Sequence, residues 1–157
     1  MARYTLGTGH GGTPQAMTTT YKTLVSVTAA TGATTLRRGW VYDIMVGADG
    51  TPADNAMTFK VDRQTSASTG SAAVPSPIDG GDAAATLVGT ANYTIEPTVT
   101  AAKQLVELGM NQRASYRWVA APGGELVVPA TNVAGIGARV KSPGYTSTMV
   151  CVLQFWE

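Results

Sequence analysis

His10 is the single histidine of the chain, and it lies inside the run Gly7-Thr8-Gly9-His10-Gly11-Gly12. Glycine-rich runs cradle phosphate when they link a strand to a helix N-terminus and carry Lys followed by Ser or Thr. Neither the flanking pattern nor the Lys is present here, so the run reads as a loop and His10 as a solvated imidazole. One His and one Cys stand beside six Asp and four Glu, and none of them fall at metal-ligand spacing. Asp49-Gly50 and Asp54-Asn55 lack the spaced acids of a calcium loop and read as turns. Asp43, Asp62, Glu107 and Glu125 are the carboxylates from which a glycosidase pair could be drawn. Such a pair needs a separation of roughly 5–10 Å, and no spacing selects any two; outward-facing strand carboxylates are the expectation. Cys151, between Val150 and Val152, reads as a buried inert thiol. No catalytic, cofactor-binding or metal-ligating residue is nominated, and no cofactor is expected.

Two further groups could recognise a partner. Arg37-Arg38 and the set Arg113, Arg117, Arg139 and Lys141 suit an acidic surface, but solvated strand faces or intersubunit ion pairs account for them equally well. Trp40, Tyr116, Trp118 and Trp156 could form a sugar-stacking platform. They alternate in phase with core positions, and core packing is the expectation.

These side chains are carried by short β runs. Residues 1–18, rich in Gly, Thr and Pro, show no period and read as an extended N-terminal arm, leaving residues 19–157 as one β domain. Tyr21, Thr23, Val25 and Val27 alternate up to a break at Gly32. Trp40, Tyr42, Ile44 and Val46 are expected on one face, opposite Val41, Asp43 and Met45. The turn signals from Gly47 to Pro52 then lead to Met57, Phe59 and Val61, which predicts an antiparallel pair. Thr65–Gly81 reads as a long loop. Asp82 could cap a short helix over residues 83–88 that stops at Gly89. Further runs follow at Val106–Met110, Tyr116–Ala120, Leu126–Val128 and Ile136–Val140. The last, Met149–Trp156, is apolar on both faces and is expected to be central and covered on both sides. The pattern predicts an all-β fold, an antiparallel sandwich or jelly roll, with at most one short helix.

Composition narrows the function. The chain has 157 residues, one domain's worth, with 11 basic and 10 acidic side chains, a balance that argues against phosphate-driven nucleic-acid binding or a polybasic membrane anchor. No run of roughly 18 apolar residues suggests a membrane span, and no apolar run of a secretory leader follows Arg3; a soluble chain is expected. Only 13% of residues are charged, against about 25% in an average domain. Thr, Ala, Gly and Ser fill the surface instead, and such a surface costs little to desolvate. The chain therefore reads as one that works packed against neighbouring protein.

The segments Leu36-Arg37-Arg38-Gly39-Trp40-Val41-Tyr42-Asp43, Gly50-Thr51-Pro52-Ala53-Asp54-Asn55-Ala56, Arg63-Gln64-Thr65, Asp82-Ala83-Ala84-Ala85 and Asn111-Gln112-Arg113-Ala114-Ser115-Tyr116-Arg117-Trp118-Val119-Ala120-Ala121-Pro122-Gly123 together resemble small capsid decoration (cement) proteins of tailed bacteriophages. The resemblance spans most of the chain after residue 18 and carries no catalytic signature. It implies a jelly-roll-like β-sandwich in the virion, often a homotrimer, that clamps the outer surface of the head by contact with the major capsid protein. Neither nucleic acid nor membrane is an expected partner. The alternatives are a carbohydrate-binding or other β-sandwich module of a phage tail or fibre, or another head subunit; an enzyme ranks last. The arm and the Thr65–Gly81 loop are the expected contact elements.

Overall fold

The computed structural model describes residues 1–30, 36–66 and 68–157; the expected break at Gly32 lies outside them. The strands are β1 (Arg3–Gly7), β2 (Gln15–Ala16), β3 (Lys22–Thr28), β4 (Gly39–Asp49), β5 (Ala56–Gln64), β6 (Thr69–Ala73), β7 (Ser76–Pro77), β8 (Val88–Ile95), β9 (Val99–Asn111), β10 (Tyr116–Val119), β11 (Leu126–Val128), β12 (Gly135–Lys141) and β13 (Thr148–Trp156). They form two antiparallel sheets packed as a sandwich. One runs β10-β4-β13-β1-β7, with β11 beside β10 along β4 and β2 on the end of β13; the other runs β6-β8-β3-β12-β5-β9. Leu6, Ile44, Leu153 and Phe155 from the first sheet meet Val25, Phe59, Val61 and Ile136 from the second in one buried core. All-β architecture therefore follows from period-two runs with Gly/Pro punctuation, as expected.

Several local expectations are corrected. Residues 1–18 are not an arm: β1 lies between β13 and β7, with Tyr4, Leu6 and Met17 buried. Tyr4 and Leu6 alternate with Arg3 and Thr5, a strand pattern too short to stand out beside the glycines. Thr8 fastens the chain beyond β1, its Oγ1 accepting from Cys151 N at 3.0 Å and donating to Cys151 O at 3.3 Å. The only helix among the described residues is a single 3-10 turn, Thr8–Gly11.

No helix forms over residues 83–88. Six residues cannot stabilise a helical nucleus on their own, and the Glu157 carboxylate instead accepts from Thr86 N (2.7 Å) and Leu87 N (3.1 Å). Gly89 is a strand residue paired with Val27 and Ala73. The Thr65–Gly81 segment contains β6 and β7. β4 and β5 belong to different sheets, so the turn between them is a crossover and not a hairpin.

Candidate functional site

Parity decides which side chains each sheet presents outward. On β4 the register with β13 skips Tyr42: Gln154 lies opposite Asp43, but Phe155 lies opposite Val41. This bulge lets Val41, Ile44 and Val46 all face the core and turns Trp40 outward. Trp40 and Trp156 therefore leave the core positions expected for them and pair across β4 and β13 on the outer face. Their ring centroids are 3.9 Å apart and their planes 14° from parallel. Each indole spends one face on the other, which leaves a poor platform for a sugar ring. Tyr116 and Trp118 do pack against the core, in register with the inward Val46 and Ile44.

The outer face of the first sheet is consequently apolar. Across its upper end run Arg3, Trp156, Trp40 and Val127, paired in register. Toward the other end stand Met45, Val152 and Val150, and Val119 lies between the two ends, level with Asp43. A depression of about 410 Å³ opens between Val150 and Val152 on one side and Ser115 and Arg117 on the other, floored by Gly47. β13 is central as expected, but within one chain its outer side is not covered: Val150 is exposed.

Among the described residues one ion pair stands on this face. Arg117 donates to Asp43 through Nε at 3.0 and 3.1 Å and through Nη2 at 2.5 Å. The carboxylate's hydrogen bonds raise the guanidinium pKa above its ordinary value. Asp43 was expected to be outward and solvated; it points outward but is buried under Arg117.

The opposite face of the sandwich has a different character. Around β3, β12, β5 and β9 stand three ion pairs: Lys22–Glu96 at 3.2 Å, Lys60–Glu107 at 3.2 Å and Arg139–Asp62 at 3.4 Å. The Tyr21 ring lies beneath three cations, with Lys141 Nζ at 4.8 Å, Lys60 Nζ at 4.9 Å and Arg139 Cζ at 5.4 Å from its centre. Burial opposes the charge on Lys60, but hydrogen bonds with Glu107 and Tyr21 outweigh it and raise its pKa. Arg139 and Asp62 are thus an internal pair, not separate surface charges.

The remaining nominated residues stay apart. His10 is exposed and its Nδ1 contacts Val74 O at 2.9 Å. Burial pushes the Cys151 thiol far above its ordinary pKa, which leaves it an inert core residue as expected. Glu125 has no ion-pair partner among the described residues, and no group of three metal-ligating side chains occurs among them. No helix among the described residues is long and apolar enough to cross a membrane.

Sequence reasoning missed a second apolar patch. Extending the β6–β8 register, in which Ala73 lies opposite Gly89, sets Val74 level with Val88. They are 71% and 41% exposed, and Ile78, just beyond β7, is 51% exposed. The available signal was an isolated aliphatic residue on either side of Pro75-Ser76-Pro77. Pro77 removes an N–H donor from β7, the edge strand of its sheet, and Pro75, the residue just before that strand, lacks one too, which discourages strand addition there. No protein family, characterised protein or solved structure matches this chain.

Proposed function

We propose that this protein is a non-catalytic structural component of a bacteriophage virion that decorates and cements the head by protein–protein contact with the major capsid protein. The observation that carries the reading is the exposure of Val74 and Val88, side by side in the extended β6–β8 register, with exposed Ile78 four residues along the connection from Val74. Leaving such groups in water is unfavourable by roughly 1.5–3 kcal/mol per fully buried equivalent, and their burial by a neighbour recovers part of it. Asp79 follows Ile78 in the chain and its carbonyl accepts from Asp82 N at 3.0 Å, so a basic margin on the shell subunit would complement the charge beside Ile78. The sparse charge of the chain supports the same reading, as does the resemblance of its segments to decoration proteins. Repeated passage of the chain between the two sheets is in keeping with a jelly-roll-like topology.

Cementing needs area, not chemistry. A standard contact buries about 1,600 Å², and symmetry repeats it over the shell. This patch replaces the N-terminal arm as the expected shell contact, because the arm residues are committed to the core.

Quantitative mass spectrometry of purified particles tests the assignment: the expected result is a copy number in proportion to the major capsid protein, and absence from the particle overturns it. In a companion experiment, Val74→Asp combined with Ile78→Asp is titrated against undecorated heads. Occupancy is expected to fall by more than about tenfold, as loss of two apolar contacts implies; unchanged occupancy removes the patch from the interface.

A further inference from the structure

We infer that a depression between the loop after β4 and the loop before β13 binds one neutral pyranose ring, stacked on Tyr145 and hydrogen-bonded by the Asp49 carboxylate. The inference concerns the isolated protein and does not depend on docking to a shell.

The site lies where these loops meet the end of the first sheet. Thr148 is level with Ala16 on β2 and with Asp49 on β4. It shares the parity of Val150, so all three side chains stand on the outer face. Thr51, just beyond β4, and Tyr145, Thr146 and Ser147, just before β13, complete a depression of about 430 Å³. That volume lies within the range of small-molecule clefts. The lining carries one carboxylate, one phenol ring and several hydroxyls, and neither Lys nor Arg.

The groups left unspent decide the ligand. The Ser147 and Thr148 hydroxyls both donate to Asp49 O, Thr148 at 2.9 Å, and Thr146 Oγ1 donates to Gln112 Oε1 at 3.0 Å. By contrast, the Asp49 carboxylate and the hydroxyls of Thr51 and Tyr145 have no hydrogen-bond or ion-pair partner among the described residues. The Tyr145 side chain is exposed (57%) and meets no other ring or cation among them, unlike Trp40 and Trp156. A pyranose offers an apolar C–H face to such a ring and a rim of hydroxyl donors to the acceptors beside it. A carboxylate accepts from two neighbouring hydroxyls in charge-assisted bonds. Asp49, with no cation in the lining, repels uronates, sulfates and phosphates, so the class is a neutral sugar. An alkylammonium also suits a carboxylate near a ring, but its donors sit at one point. The free groups here stand on two loops, which matches the spread hydroxyls of a ring.

The two loops are tied together from below. Gln112 is fully buried; its Oε1 accepts from Ala53 N at 3.1 Å and Thr146 Oγ1 at 3.0 Å, and its Nε2 donates to Ser142 Oγ at 2.9 Å and to Gly144 O. Asn55 Nδ2 adds a bond to Gly144 O at 3.1 Å. Such a network fixes one arrangement of the loops. Gly50 turns the chain between Asp49 and Thr51 at φ 94°, where a Cβ would be strained. The Asp49 backbone is thus held while its carboxylate stays free, and walls ordered before binding lose less entropy on it.

Two-dimensional amide NMR of the purified chain, titrated with the methyl pyranosides of glucose, galactose, mannose and N-acetylglucosamine, tests this. At least one is expected to shift the amides of Ala16, Gly50, Thr51 and Tyr145 to Thr148 saturably, with Kd of about 1–10 mM, the scale of one small ring in an open site. Glucuronic acid and butylammonium are expected to leave those amides unmoved. Silence of every pyranoside up to about 50 mM overturns the proposal, and saturation by butylammonium alone gives the site to a cationic side chain and overturns it equally. Tyr145→Ala is expected to weaken binding by about tenfold or more with an unchanged melting curve, because the side chain is exposed. Tyr145→Phe keeps the ring and is expected to bind within about threefold of the parent. Asp49→Asn, which keeps the backbone acceptor of Ser147 and Thr148, is expected to weaken binding by about threefold to tenfold. Binding unchanged in Tyr145→Ala, or lost as fully in Tyr145→Phe, rejects the inference.

Discussion

Arg117 and Asp43 form a forked ion pair across β10 and β4 in which the two partners differ sharply in exposure: the Arg117 side chain is 62% exposed and that of Asp43 3%. Among the described residues the pair is the one ion pair on the outer face, and its desolvation falls almost entirely on the carboxylate. Removing one partner of such a pair hurts in proportion to what is left buried. Arg117→Ala leaves a desolvated carboxylate without its three contacts, whereas Asp43→Asn leaves a guanidinium that water can reach. Arg117→Ala is therefore expected to lower Tm more than Asp43→Asn, as read from thermal melts at pH 7. Equal losses would show that the carboxylate is hydrated in solution.

Leu6 supplies the sharpest test of the N-terminal segment. It is fully buried on a strand paired with β13 from Arg3↔Trp156 to Gly7↔Val152. Leu6→Ala is expected to cost about 2–5 kcal/mol, the usual range for a buried leucine, measured by urea unfolding. A loss below about 0.5 kcal/mol, the level of a surface site, would restore the free arm. Deleting residues 2–17 should abolish folding altogether, since Tyr4, Leu6 and Met17 leave the core together.

The parts of the fold legible in the sequence are those where alternation runs unbroken. Met57, Phe59 and Val61 on β5, and Ile136, Ala138 and Val140 on β12, face the core as their spacing implies. Where a bulge intervenes, parity reverses and the sequence misleads. The skipped Tyr42 turns Trp40 outward, and Leu105 is similarly skipped where Val61 pairs with Val106 but Asp62 with Gln104. β1 escaped notice because two apolar residues followed by glycines carry too little period. The outer-face surface was illegible for a related reason: it depends on which side of β4 each aromatic occupies, and one extra residue decides that.

Gly89 and Gly9 make a matched pair of glycine substitutions. A methyl group on Gly89 would lie 2.3 Å from Ala73 O and 2.5 Å from a Leu6 methyl, whereas at Gly9 nothing lies within 4 Å. The neighbour at Gly89 is partly backbone of a paired strand and cannot swing aside. Gly89→Ala is expected to cost at least about 1–3 kcal/mol, as overpacking does. Gly9→Ala should be neutral to within about 0.5 kcal/mol. Denaturant midpoints of the two variants, compared side by side, check both.

Alkaline pH should unfold this protein earlier than its charge balance suggests. Burial disfavours the Tyr93 phenolate and raises its pKa above the ordinary 10.0, with hydrogen bonds from Ser26, Ser68 and Thr90 offsetting part of the effect. Tyr4 is raised by burial and by the nearby Glu157 and Asp82 carboxylates, and burial raises Cys151 above its ordinary 9.0. In the unfolded chain these groups lose their protons at the ordinary values, while in the native state they hold them. The unfolded state therefore gains stability as pH rises past those values. The contribution is fully present below about pH 9 and declines through pH 10 and above, the direction set by the raised native pKa values. Tm recorded from about pH 7 to 11, with tyrosinate absorbance followed in parallel, should show ionisation of the buried tyrosines in step with unfolding. Tyr93→Phe is expected to flatten this alkaline slope while costing about 1 kcal/mol at neutral pH, because Ser26 loses its hydroxyl partner. A Tm that holds level across the whole range would show that water reaches these phenols in the native state.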